Sequence, residues 1–151
     1  ATGNVRVISV QIDTGNNLST MNIHNNDFYA CGHNAVSPSG SLILIYDEMA
    51  NLHTNVNGNT FTNLSPSTSG NVTLIDMVNT SIPSGGSQII QGNSIVTGLT
   101  KTGIGGILTF ILSHGSSNFG NSTWSSNNFS NVTVSGSTVV DGIFNKAFSN
   151  W

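Results

Sequence analysis

A six-residue pattern of apolar and polar positions recurs four times along the chain at a nearly constant interval. Each copy has an apolar residue, two variable residues, an Asn, one variable residue and a second apolar residue. The copies span residues 23–28, 56–61, 90–95 and 124–129, and their Asn residues stand 33, 34 and 34 positions apart. A fixed period of this length is typical of a solenoid, in which each repeat forms one coil and buries its apolar side against its neighbours.

Nearly continuous apolar runs alternate with these repeats and predict buried β-strands. The runs cover 41–46, 72–75 and 107–112, each one starting just after a glycine or one residue beyond it, and an alternating segment at 5–12 predicts a further strand. The linkers are rich in Ser, Gly and Pro, as turns and loops require. Helix signals are poor because Gly and β-branched residues interrupt each candidate window. We therefore predict an all-β chain whose strands line a solenoid interior.

Stacked coils would place the repeat residues in columns about 4.8 Å apart, the spacing of paired strands. The Asn of each repeat would lie at a corner, where Asn tolerates left-handed backbone angles and its amide can bond to the next coil. One apolar column would hold Ile23, Val56, Ile90 and Trp124. A second would hold Phe28, Phe61, Ile95 and Phe129. The structural Asn ladder would be Asn26, Asn59, Asn93 and Asn127.

The repeat resembles the Asn-containing rung of right-handed parallel β-helices, the pectate-lyase-like superfamily that also includes many phage tailspikes. The resemblance covers roughly residues 20–150 and implies a right-handed parallel β-helix of about 34-residue coils. In a chain rich in Asn, some matches to a loose pattern arise by chance. The alternative fold is therefore an antiparallel β-sandwich or jelly roll, which needs no repeat. The superfamily holds lyases, hydrolases, epimerases and adhesins, so the fold alone predicts no activity.

We expect residues 1–151 to form a single β-helical domain. The chain starts at Ala1 without an initiator Met or a signal peptide, which indicates a processed form or a fragment of a longer chain. The segment 143–148 has the apolar spacing of the repeat, with Lys146 in place of Asn, only 19 residues after Asn127. This spacing predicts a short last coil over about 128–151, as expected of a capping repeat.

The composition and charge of the chain limit the kinds of partner that it is expected to bind. Charged residues are 6% of the chain, against about 25% in ordinary soluble domains, while 36% of residues are hydrophobic. A surface of Asn, Ser, Thr and Gly is typical of extracellular or virion-surface β-proteins. The three cations Arg6, Lys101 and Lys146 are too scattered to neutralise a nucleic-acid backbone. No apolar run approaches the roughly 20 residues that insert across a membrane, and lone Cys31 forms no internal disulfide.

Asp47 and Asp76 are the candidate catalytic residues, since each directly follows a predicted buried strand. Stacked strand ends meet at one edge, so we expect these carboxylates to line up with Ser113 or His114 of the next strand. Paired carboxylates repel, which raises one pKa as general acid–base catalysis requires. Glycosidases use carboxyl pairs about 5 Å or about 6.5–9.5 Å apart. The alternative is that both side chains cap turns.

Aromatic side chains offer a different chemistry, because they stack on sugar rings while Asn and Ser side chains bond to the hydroxyls. No phosphate-binding loop, acidic calcium loop or zinc-ligand spacing is present, so we expect no cofactor and no metal. The clustered acids of the metal-assisted lyases are also missing, which counts against lyase activity. The candidate glycan-binding residues are Phe119, Tyr29, Tyr46 and His114.

These observations predict a glycan-binding segment of a virion-surface or cell-surface spike or adhesin, whose partner is a surface polysaccharide. The resemblance to tailspikes implies a homotrimer. One alternative is a glycan depolymerase, a glycoside hydrolase that uses Asp47 and Asp76. Another is a structural subunit of a self-assembling extracellular filament or shell, whose sheet edges pair between copies. Binding without catalysis is the favoured expectation.

Overall fold

A computed structural model describes residues 3–11, 19–33, 39–78, 82–114 and 120–145, and within them the chain is all-β, without a helix. In chain order the strands are β1 Val5–Val10, β2 Thr20–His24, β3 Asp27–Tyr29, β4 Leu42–Asp47, β5 His53–Asn57, β6 Thr60–Thr62, β7 Val72–Met77, β8 Ser87–Gln91, β9 Ser94–Ile95, β10 Leu99–Lys101, β11 Ile107–Ser113, β12 Asn121–Ser125, β13 Val132–Val134 and β14 Val139–Asn145.

The strands stack into four parallel sheets. The longest, here the long sheet, has the order β1-β4-β7-β11-β14, and the sheet built on the first part of each repeat has the order β12-β8-β5-β2. The other two sheets are β3-β6-β9 and β10-β13. Every strand pairing of the described residues is parallel, so the antiparallel sandwich is wrong and the β-solenoid of about 34-residue coils is confirmed. Its right-handedness stays a prediction.

Both predicted apolar columns are present in the core. The first column pairs Ile23, Val56, Ile90 and Trp124 strand by strand. The second pairs Phe28, Phe61 and Ile95. The Phe28 and Phe61 rings stack with centroids 5.2 Å apart. Phe129 packs against the end of this core and stacks on Phe110 at 5.0 Å. Because each residue buries its neighbours in the coils on both sides, the columns form one continuous core.

The predicted Asn ladder is also present, and its amides join successive coils. Asn59 is fully buried, and its Nδ2 donates to Asn93 Oδ1 and to the Ile23 carbonyl, both at 2.9 Å. The Asn59 backbone N–H donates to the same Asn93 oxygen at 3.0 Å. Asn93 repeats this arrangement towards Asn127. The ladder therefore satisfies polar groups that the corner would otherwise bury without partners.

The left-handed backbone lies one residue before each ladder Asn rather than at the Asn itself. Asn25, Gly58, Gly92 and Ser126 have φ values of 55°, 63°, 65° and 56°. This position turns the corner, and it favours Gly because a side chain crowds the following carbonyl there. The ladder Asn residues are thereby released to use their amides for bonding between coils.

The predicted short last coil over about 128–151 stays a prediction. In β14, Ile143 pairs with Ile111, which lies 32 residues earlier in β11, so residues 143–145 extend the long sheet. Residues 146–151 lie outside the described residues.

Glycines allow the loops before the long sheet to stack closely. A Cβ at Gly70 would lie 2.6 Å from the Gly40 carbonyl oxygen, and one at Gly106 would lie 2.3 Å from the Gly70 oxygen. Neither distance is tolerable for a real side chain, and Gly106 also has a φ of 69°. The backbone of the preceding coil therefore leaves no space for a side chain at Gly70 or Gly106.

We expect Asn59→Ala to lower the free energy of unfolding by about 3 kcal/mol or more, because it leaves several buried polar groups unpaired at about 1–3 kcal/mol each. The matched control is Asn55→Ala in the same coil, whose amide donates to Asn22 Oδ1 at 2.8 Å in an exposed ladder. Its loss should cost under about 1 kcal/mol. Urea unfolding followed by circular dichroism measures both, and equal losses would contradict the role of the buried ladder.

We expect Gly106→Ala to destabilise the protein by at least about 2 kcal/mol more than Gly85→Ala. Both glycines have positive φ values, 69° and 80°, so both variants carry the same backbone strain. A Cβ at Gly85 meets nothing within 4 Å, whereas one at Gly106 meets backbone. Thermal unfolding of the two variants isolates the steric part, and indistinguishable melting temperatures would show that the loops are not close-packed.

Candidate functional site

The outer face of the long sheet brings several predicted site residues together. Tyr46 pairs with Asp76, and Asp76 pairs with Leu112 on the next strand, so the three side chains form a row. The following row, one residue further on, points into the core because it contains the fully buried Met77. Side chains alternate between the faces of a sheet, so the row of Asp76 faces outward.

Asp47 and Asp76 do not form the expected carboxylate pair. Asp47 pairs with Met77, and Asp76 pairs with Tyr46, so the two acids are offset by one residue in the register. A one-residue offset places them on opposite faces of the sheet. Asp47 is 1% exposed, and its Oδ1 accepts a hydrogen bond from the Met49 backbone N–H at 3.0 Å, as a turn cap does.

Burial raises the pKa of the Asp47 carboxyl to about 6, while the Met49 N–H acts in the opposite direction by stabilising the charged form. A raised pKa of this kind is often found in catalytic acids. Here the Asp47 carboxyl faces the interior, where no substrate reaches it. Its change of protonation state therefore changes the free energy of unfolding.

Asp76 contacts His114 instead of Asp47. The His114 Nε2 atom lies 3.1 Å from Asp76 Oδ1, and the two side chains are 28% and 9% exposed. A carboxylate in this position fixes the orientation of the imidazole ring. Asp76 and His114 thus form a polar pair at the end of β7 and β11 on the outer face.

The Tyr46 ring is largely buried, and the Arg6 guanidinium packs against it. The Arg6 guanidinium lies 3.6 Å from the centre of the Tyr46 ring, and the residue is only 7% exposed. Burial raises the pKa of the Tyr46 phenol, Arg6 opposes that shift, and Glu48 adds to it. Arg6 occupies one face of the ring, and the stacking of a sugar on Tyr46 stays a prediction.

A shallow groove of about 250 Å³ adjoins the row at Leu112. It runs over β7, β11 and β14, so three successive coils contribute to it. The polar lining residues are Asn71, Thr73, Thr109 and Asp141, and the apolar ones are Ile107, Leu112 and Phe144. Asn71 Oδ1 accepts a hydrogen bond from the Ile107 N–H at 3.0 Å, which orients the amide at one end of the groove.

The remaining predicted glycan-binding residues are Tyr29 and Phe119. Tyr29 is 62% exposed on β3, in a different sheet from the groove. Phe119 lies outside the described residues. Sequence reasoning missed Thr73, Thr109 and Phe144, and the signal that identifies them is the outward position that they share with Asp76 and Leu112 once the register is known.

Two further findings concern the described part of the chain. No group of three or more His, Cys, Asp or Glu side chains there is arranged to hold a metal ion. No helix there is long and apolar enough to cross a membrane.

Comparison with known proteins yields no match for this chain, whether with family models, with curated proteins or with solved structures. By its fold, this chain is a parallel β-solenoid with a groove on its long sheet.

We expect Asp47→Asn to remove part of the pH dependence of stability. The folded pKa of about 6 lies above the unfolded value of 3.8, so the acid's stabilising contribution is complete below pH 4 and is lost as the pH rises through 6. At about 1.4 kcal/mol per pKa unit, the wild type should lose up to about 3 kcal/mol relative to the variant between pH 4 and pH 8.

Urea unfolding of the wild type and the variant at both pH values measures this difference. Asp141→Asn, which removes an exposed carboxylate from the same sheet, controls for the loss of one negative charge. An unchanged gap between wild type and Asp47→Asn across this range would mean that Asp47 does not titrate near pH 6.

Proposed function

We propose that this chain is the glycan-binding segment of a spike or adhesin on a virion or cell surface, and that it holds a neutral surface polysaccharide on the outer face of its long sheet. The observation that carries the proposal is the groove over β7, β11 and β14, which combines an exposed aromatic ring with hydroxyl, amide and carboxylate groups.

The side chains of the groove match the chemistry of a sugar ring. Phe144 is 39% exposed and offers an apolar face to the C–H side of a pyranose. Thr73, Thr109 and Asp141 supply hydroxyl and carboxylate partners for the sugar hydroxyls. Recognition of a sugar requires both kinds of contact, since one face of the ring is apolar and its rim is polar.

The size and charge of the groove favour part of a long neutral chain as the ligand. Pockets that enclose a drug-sized molecule measure roughly 300–1,000 Å³, whereas this groove is smaller, at about 250 Å³. It suits one or two units of a polymer that continues over the surface. Only 6% of the residues are charged, so the affinity would come from fitted contacts rather than from long-range attraction.

The proposal includes the trimeric, right-handed, tailspike-like state that the repeat implies, with an extracellular or virion-surface location. It does not include hydrolysis by Asp47 and Asp76, because these carboxylates lie on opposite faces of the sheet. Asp76 remains close to the groove beside Leu112, where it and His114 can bond to a bound sugar.

One observation favours a second candidate, a structural subunit of a filament or shell. The strand β14 is an edge of the long sheet, and Val139, Val140 and Ile143 on it are 46% to 53% exposed. Exposed apolar edges pair readily with other chains. Light scattering separates the candidates, because a filament grows with concentration whereas a closed trimer keeps a fixed mass.

We expect the wild type to bind selected members of an array of neutral oligosaccharides, and Phe144→Ala to weaken that binding at least tenfold, or about 1.4 kcal/mol. Loss of the ring removes the apolar contact with the sugar. Thr109→Val, which keeps the shape and removes the hydroxyl, should weaken binding by a factor of about 5–10. Titration calorimetry with the array oligosaccharide of highest signal measures both.

The control is Val96→Ala, which shortens an exposed apolar residue outside the long sheet and should leave affinity unchanged. A loss of binding in Tyr29→Ala but not in Phe144→Ala would move the site to the sheet that contains β3. An array without signal would refute glycan binding.

A further inference from the structure

Lys101 is fully buried, and its ammonium is surrounded by neutral oxygen atoms. Its Nζ donates to the carbonyl oxygens of Thr68, Gly103 and Gly105 at 2.9, 2.6 and 2.7 Å. The Thr138 Oγ1 atom is a fourth and longer contact at 3.4 Å. These four oxygen atoms, three carbonyls and one hydroxyl, are here called the carbonyl cage, and none of them belongs to a carboxylate.

An ammonium in this position is costly unless its surroundings replace the water that it loses. Burial lowers the pKa of Lys101, whereas carbonyl oxygens that accept from the charged form act in the opposite direction. Carbonyl oxygens can replace the hydration shell of a monovalent cation, as they do in ion-selective pores. The carbonyl cage has this chemistry, with the cation supplied by the side chain.

The cage joins loops from three successive coils. Thr68 lies in the loop that leads into β7, Gly103 and Gly105 lie in the loop that leads into β11, and Thr138 immediately precedes β14. The same three strands carry the lining of the groove. One ammonium therefore contacts the loop that leads into each strand of the candidate binding site.

The loops that lead into β11 and β14 also contact each other at the carbonyl cage. Thr138 Oγ1 lies 3.1 Å from the Gly105 oxygen, so it bridges the same carbonyl that Lys101 binds. Gly105 and Gly106 have φ values of 92° and 69°, and Ile107 of the groove follows them directly. A loop of glycines has little stiffness of its own, because glycine has the largest conformational freedom.

We propose that Lys101 is a positioning residue for the groove: its ammonium acts as a built-in monovalent cation that fixes the three loops leading into β7, β11 and β14. An inorganic or organic ammonium ion can occupy the same carbonyl cage when the side-chain ammonium is removed. The part of this inference that concerns sugar affinity rests on the proposed function, whereas the cation site does not.

The experiment uses the whole chain with Lys101→Ala, which removes the ammonium and leaves its position open for a free ion. The melting temperature should fall by several degrees, and ammonium chloride at 0.1–1 M, a range on the order of weak single-ion affinities, should restore at least half of the loss. Tetramethylammonium chloride at equal ionic strength is too large for the cage and should restore none. The wild type should respond equally to both salts.

A second variant keeps the inference testable if Lys101→Ala does not fold. Thr138→Val leaves the Lys101 ammonium in place and removes its contact with Thr138, together with the hydrogen bonds from the hydroxyl to the Gly103, Gly105 and Ser135 oxygens. Hydrogen exchange should then accelerate at least tenfold in β14, with little change in β4 and β5. If exchange in β14 accelerates no more than exchange in β4 and β5, the proposed role of the carbonyl cage is overturned.

Sugar affinity separates the two proposals. With the array oligosaccharide used above, Lys101→Ala should bind at least tenfold more weakly than wild type and recover to within about threefold in ammonium chloride. Rescue of melting without any sugar binding by the wild type would reject the proposed function and keep the cation site. A folded Lys101→Ala that melts like wild type, or that ammonium does not rescue, would overturn the inference itself.

Discussion

The buried Asn ladder is the interaction on which the rest of this structure depends. The amides of Asn59 and Asn93 each donate to the next coil and to a carbonyl of the previous one, as Asn59 does to Asn93 and Ile23. A slip of one residue between coils would break these buried bonds and turn every neighbouring side chain to the opposite face. The ladder therefore fixes the register, and the register decides which side chains line the core and which face the outside.

The sequence predicted the repeat sheets well and the groove poorly, and the spacing between coils explains the difference. The ladder residues are 33 to 34 positions apart, so columns such as Val56 and Ile90 can be read directly from the chain. In the long sheet, Tyr46 and its partner Asp76 are 30 positions apart, but Asp76 and Leu112 are 36 apart. The loops that connect the strands of the long sheet differ in length, and this difference accounts for the two spacings.

Strand ends were therefore a poor guide to alignment in the long sheet. Asp47 and Asp76 each follow an apolar run, and sequence reasoning placed them side by side on that basis. The runs begin and end at different points of the shared register, so Asp47 turns inward to Met49 and Asp76 turns outward to His114. The error concerns one residue, yet it changes a proposed catalytic pair into a buried cap and a surface pair.

Two of the cations have structural positions. Arg6 covers the Tyr46 ring, and Lys101 binds carbonyl oxygens of stacked loops, so these two side chains hold neighbouring coils in place. A chain with only 6% charged residues has little long-range attraction for any partner. Selectivity must then come from the shape of its outer face, and that shape is only as well defined as the loops that lead into its strands. The ladder fixes the register of the coils, while a buried ammonium joins the loops of the three coils that meet at the groove.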